Sequence, residues 1–299
     1  MIARAFSQKR ISDRLFDIGN YSLLIAVTVI TLYPMLYVLF ASISNPSEFG
    51  KKAFTLLLRP VGKPQLAAYR YVLTNQMIMK GFVNTLFYVV AGTLISMILT
   101  LLGAYVLSRK GYMLKKPLTL AIMFTMYFSG GLIPTYMQIR NLHMLDSVWA
   151  VLLPSAVNTF NMIVMRTAFD SVPESLHESA MLDGAHDPQI FLHIFLPLAI
   201  PTIAVIGLFY AVSRWNAWFE ATIYLTSRSL YPAQLILREM LILMNSEYLA
   251  LHGGSTNLSA LGELIKYAAI IVATLPIVIL YPFIQKYFVK GVMIGAVKE

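Results

Sequence analysis

Between Asp170 and Pro197 the chain carries five carboxylates, Asp170, Glu174, Glu178, Asp183 and Asp187, and three histidines, His177, His186 and His193, with no Lys or Arg among them. Such side chains could ligate a metal, exchange protons or meet a basic surface. The histidines, with His143 and His252, lack the spacing that metal sites require, and no metal is expected. Nothing matches the phosphate-cradling G-x-x-x-x-G-K-[ST] loop, since Gly50-Lys51-Lys52 and Gly62-Lys63-Pro64 lack both the leading glycine and the hydroxyl residue. No Ser/His or paired-acid constellation lies deep in an apolar run, which argues against an intramembrane hydrolase. Recognition remains: acids without counter-charges suit a basic groove on another protein better than anionic lipid headgroups.

A second constellation is "WNAW", with Trp215, Asn216 and Trp218 beside Arg214. Sugar faces stack on aromatic rings and Asn bonds hydroxyls, so these three are candidates for a translocation path. The competing reading is an interfacial aromatic belt in which Arg214 snorkels outward.

The elements that position these groups are membrane helices. Of 299 residues 58% are hydrophobic and only 12% charged, against about 25% in soluble domains. Charge-free runs occupy 18–47, 81–108, 117–139, 147–165, 189–213 and 267–285, each near or above the ~20 residues of a spanning helix. Six spans and an all-α, polytopic fold are expected. The apolar stretch after Arg4, Lys9, Arg10 and Arg14 is too long for a signal-peptide core and reads as a retained first span. The chain divides into an amino-terminal segment 1–17, a first helix and outer loop 18–75, a core 76–285 and a tail 286–299.

The net charge of +9 is explained by orientation rather than by nucleic acid. The amino-terminal segment, the loop holding Arg109, Lys110, Lys115 and Lys116, and the tail holding Lys286, Lys290 and Lys298 share one side if spans alternate. By the positive-inside rule that side is the cytoplasm, and it also holds both termini and the acidic loop.

Within that loop, Asp170 and Ser171 precede Pro173 and Glu174, the pattern of a helix start. The helix should reach Asp183 and stop at Gly184. Asp187 as cap and Pro188 at the first helical position start another, which Leu196-Pro197 ends or bends. Two short helices with a glycine elbow could transmit a push from a partner to the adjoining spans. Prolines in the spans (Pro34, Pro134, Pro154, Pro201, Pro276, Pro282) read as ordinary membrane packing. Beyond the fifth span, Pro232 can open a short helix that lies along the outer membrane surface or packs on the bundle, followed by the glycine-led stretch 252–259.

Glu178, Ala180, Gly184, Ile194, Leu196 and Pro197 match, at fixed spacing, the EAA loop of ABC importer permeases, with Ser179 in place of the middle alanine. The tail "QKYFVKGVMIGAVKE" resembles the carboxyl terminus of their carbohydrate branch, the maltose-type second permease and its oligosaccharide and alginate relatives. The resemblance implies a multi-pass subunit of the bacterial cytoplasmic membrane. It would pair with a second, different permease, two ATPase subunits that bind ATP and Mg, and an extracytoplasmic solute-binding protein. It implies no cofactor and no catalysis in this chain, only lipid around it and no nucleic acid. The loop at 170–197, with Glu178, Ser179, Ala180, Asp183, Gly184, Ile194, Leu196 and Pro197, would couple to the ATPases. Gly291, Gly295 and Val297 would lie near the ATPase interface. The alternative is a carrier driven by an ion gradient; it predicts broken helices and mid-membrane charges, neither of which is evident in the sequence.

Overall fold

The computed structural model describes residues 11–49, 59–243 and 256–296, and among them the fold is helical with no strand. In chain order the helices are α1 (Ile11–Ser42), α2 (Pro46–Phe49), α3 (Ala67–Thr74), α4 (Gln76–Ser108), α5 (Lys115–Tyr127), α6 (Leu132–Asn141) and α7 (Val148–Leu152). Then follow α8 (Thr159–Asp170), α9 (Glu174–Leu182), α10 (Asp187–Leu198), α11 (Ile200–Trp215), α12 (Phe219–Tyr224), α13 (Ala233–Leu243) and α14 (Thr256–Ala296).

Among the described residues three helices are long and apolar enough to span by themselves, within α1, α4 and α14, and five spans result if two bent pairs each count as one. The bent pairs are α5–α6, at 115°, and α10–α11, at 83°. The expected apolar runs are therefore not all straight helices. The run 117–139 breaks at Phe128–Gly131, where Gly131 adopts a left-handed φ of +83°; a continued helix would also set Pro134 against the carbonyl of Gly130. The run 147–165 splits around Pro154 into α7 and α8, and Asn158 restarts the helix by accepting the Asn161 N–H at 3.0 Å. The bend after α10 sits at Ala199, between Pro197 and Pro201. Both prolines lack an N–H, and the turns before Leu196 widen into a π-helix over Phe191–Phe195.

Two compact units divide the chain. One comprises Met1–Thr74 with Met240–Val272. In it Tyr267 meets the rings of Tyr37 and Phe49 edge-on, at 5.9 and 6.0 Å, and the hydroxyls of Ser42 and Tyr69 lie 2.7 Å apart. The other comprises Asn75–Glu239 with Ala273–Glu299. Here α4, α8, α10 and α11 bury Ala104, Met162, Met165, Phe169, Ile190, Phe195, Ile206 and Tyr210 together. The helix expected after Pro232 is α13, docked on α4: Ala233 N–H donates to Thr85 Oγ1 at 2.8 Å. A Cβ at Gly81 would come within 2.6 Å of Ile236. Of the stretch 252–259, residues 252–255 lie outside the described residues, while Thr256 onward belongs to α14.

Candidate functional site

The acidic loop folds as two rods. α9 opens after Pro173, with Glu174 in its first turn, where a carboxylate suits the positive end of the helix. It closes in a Schellman turn: Ala185 N–H donates to Ala180 O at 2.9 Å and Gly184 N–H to Met181 O at 3.0 Å. Gly184 has φ +81°, and a Cβ there would meet nothing within 4 Å, so the glycine answers a backbone demand rather than crowding. α10 then begins with His186 as N-cap, whose N–H donates to Gln189 Oε1 at 3.0 Å. Two expected caps are therefore displaced. Asp187 is the first helical residue, and Asp170 ends α8, where Lys115 Nζ (3.6 Å) and Arg166 Nε (3.3 Å) hold its carboxylate.

The inner face of this elbow is fastened to the end of α4. Tyr105 sits among Phe191 (4.9 Å between centroids), Phe195 (5.2 Å) and Phe169 (6.3 Å), and its hydroxyl donates to Asp187 Oδ1 at 3.2 Å. The Arg109 guanidinium lies 4.1 Å over the Phe195 ring. His177 faces two carboxylates, Glu174 at 3.7 Å and Asp187 at 3.5 Å. The outer face is open: Glu178, Ser179, Asp183 and Gly184 are exposed, and among the described residues Glu178 has no ion-pair or hydrogen-bond partner. Ala180 and Ile194 line a shallow groove of about 250 Å³ with Ala185, Gln189, Ile190 and His193. Leu196 is half-buried and Pro197 exposed at the approach to the 83° bend.

The three candidates at "WNAW" do not converge. Trp215 Nε1 donates to Ala273 O at 3.1 Å, and its ring lines an apolar cavity of about 120 Å³ with Val89, Leu208 and Pro276. Asn216 turns its amide back to Val212 O at 3.0 Å. Trp218 lies under the Arg238 guanidinium at 3.9 Å. Of the tail residues, Gly291 and Gly295 belong to the last turns of α14, and Val297 lies outside the described residues.

Arg214, expected to snorkel to the interface, is instead buried, with 5% of its surface exposed. Its Nη1 donates to Val151 O at 2.7 Å, and its Nη2 to Leu152 O at 2.9 Å and Ser155 O at 3.1 Å, so it holds the carbonyls that the interruption between α7 and α8 sets free. Tyr210, one turn earlier, accepts the Asn158 N–H at 3.0 Å and pairs with Thr100 Oγ1 at 2.7 Å. Gly92 makes room: a Cβ there would stand 2.9 Å from Arg214 Nε. A lone cation closing an apolar run was the sequence signal for this role. Asp146 carried no such signal. It accepts from the N–H groups of Thr226 (2.9 Å) and Ser227 (2.8 Å) and from the Ser227 hydroxyl, and these bonds hold its carboxyl down at about 2. Among the described residues no group of His, Asp and Glu could hold a metal ion.

Residues 113–294 match the family described as the binding-protein-dependent transport system inner membrane component. The chain belongs to that family. It is thus a transport permease subunit of the inner-membrane type, built from several apolar helices. This permease is 40% identical over 293 residues to the polygalacturonan/rhamnogalacturonan transport system permease of Bacillus subtilis (strain 168), covering 96% of this chain and 99% of that one. It is 25% identical over 288 residues to the diacetylchitobiose uptake system permease of Streptomyces coelicolor, covering 95% and 90%. Among solved structures it resembles a chain of a bacterial ABC transporter involved in the import of the acidic polysaccharide alginate. That match has a TM-score of 0.83 at 34% identity and covers 94% of this chain and 99% of that one.

Proposed function

We propose that this permease is one membrane half of an ATP-driven, binding-protein-dependent importer of acidic oligosaccharides. The end-to-end 40% identity to the polygalacturonan/rhamnogalacturonan permease carries the reading, and the alginate importer, also a handler of an acidic glycan, supports it. The chain has no ATPase of its own. Two partner subunits bind ATP and Mg, a different second permease completes the path, and a solute-binding protein delivers the sugar from outside. Both termini face the cytoplasm. The open face of the elbow, with Glu178, Ser179 and Asp183, enters a cleft on an ATPase subunit; closure of the ATPases on ATP pulls α10, and through the bend α11, to alternate access. Gly291, Gly295 and Val297 approach the same ATPase.

Interrupted spans and a buried Arg214 are also features of ion-gradient carriers, which favours that second reading. Vesicles separate the two. The assembly of both permeases and ATPases should take up an oligogalacturonide only with its binding protein outside and ATP within. Uptake by this chain alone, driven by an ion gradient without nucleotide, overturns the proposal.

A further inference from the structure

α5 and α8 lie side by side. At one end Lys115 pairs with Asp170 at 3.6 Å, midway Arg166 Nη1 donates to Thr119 Oγ1 at 3.3 Å, and at the other end the hydroxyls of Thr125 and Thr159 stand 3.3 Å apart. From Lys115 to Thr125, and from Asp170 to Thr159, the helices rise about 15 Å. That is half the ~30 Å hydrocarbon core if the charged end sits at its boundary. With that placement, and with α5 and α8 running along the membrane normal, both interruptions, Phe128–Gly131 after α5 and Leu153–Asn158 before α8, fall near the bilayer centre.

At that depth, irregular backbone cannot face lipid, because its free N–H and C=O groups would have no partners; it is tolerated inside protein or against a water-filled cavity. One side of the α8 interruption is closed by Arg214 and Tyr210. The other side is open: Ser129, Gly130, Gly131, Ser155 and Asn158 are all exposed. Beside them stand the stacked rings of Phe124 and Phe128, 4.3 Å apart at 15°, the latter 64% exposed. Hydroxyls, an amide and free backbone groups next to an aromatic platform form the chemistry that holds a sugar ring, with its polar rim and apolar faces.

We infer that these paired interruptions, rather than Trp215, Asn216 and Trp218, are the stretch of this permease that contacts the saccharide on its way through. The inference rests on the importer reading above, and its test separates the two. The chain has no cysteine, so Ser129→Cys and Ser155→Cys each introduce its single thiol. In the complete transporter both should react with a charged methanethiosulfonate reagent at least about tenfold faster than Ile30→Cys on the exposed apolar face of α1, and an oligogalacturonide delivered by its binding protein should slow that reaction several-fold. Thiols as inert as the one at position 30, in an assembly whose ATP hydrolysis still responds to the saccharide, overturn the inference and place the interruptions against the second permease. Thiols that react but ignore the saccharide overturn it as well. Failure of the unsubstituted assembly to respond to the saccharide at all overturns the importer reading instead.

Discussion

Arg214→Lys isolates what the guanidinium does. Lysine keeps the charge, and with it the cost of holding an ion away from water, but its ammonium is a point donor where arginine offers a planar fork. The carbonyls of Val151, Leu152 and Ser155 lie around that fork at 2.7, 2.9 and 3.1 Å. An ammonium reaching one of them leaves two unpaired. Each buried acceptor without a donor costs about 1–3 kcal/mol, and since Val151 O and Leu152 O are buried while Ser155 is exposed, the interruption before α8 loses at least about 1–3 kcal/mol. Every 1.4 kcal/mol is a factor of ten, and the Asn158 amide, held on Tyr210, should exchange its hydrogen at least about fivefold faster in the purified assembly. Arg214→Met, which surrenders the ion's desolvation cost together with its bonds, should be no worse than lysine. If charge alone mattered, lysine would match the wild type in exchange and in thermal unfolding while methionine failed. That outcome refutes the stapling argument.

Three further outcomes are expected. Gly184→Ala should destabilise the elbow by about 1–2 kcal/mol, the cost of a left-handed alanine, and Gly184→Asn by less; equal thermal shifts for the two would contradict the Schellman geometry. Glu178→Lys, at an exposed site with no partner among the described residues, should leave folding intact and abolish saccharide-stimulated ATP hydrolysis in vesicles, whereas normal coupling would remove the residue from the docking face. Asp146, held down at about 2 in the fold, stabilises the folded state above its ordinary value of about 4, and that contribution drains away as pH falls towards about 2. Asp146→Asn should flatten this part of an acid-unfolding curve, and an unchanged curve would mean the clamp carries no stability.

Local chemistry with one dominant cause was readable from the residues. Gly184 after an acid-led helix, and Pro188 just inside the next, set the elbow within one residue of where it stands. Caps were less legible, because a carboxylate near a helix end can serve the backbone or a distant cation: Asp170 went to Lys115 and Arg166, partners supplied by other helices. The spans were readable as apolar runs but not as shapes. Pro134 and Pro154 carried the signal for the interruptions, yet a membrane helix tolerates proline when neighbours satisfy the freed groups, and only the fold shows that Arg214 does so at one of them. The Asp146 clamp depends on loops some 80 residues apart, and no local pattern announces it.

α11 is one uninterrupted helix of 16 residues, joined to the elbow at its first turn and ending on Arg214 in its last. At about 1.5 Å per residue it is a lever arm of roughly 24 Å. Pivoting it by about 10° at the Ala199 end sweeps the guanidinium through an arc of roughly 4 Å, longer than any of its three bonds. A swing of that size, carried rigidly from the acidic rods into α11, would part the carbonyls of Val151, Leu152 and Ser155 from their donor.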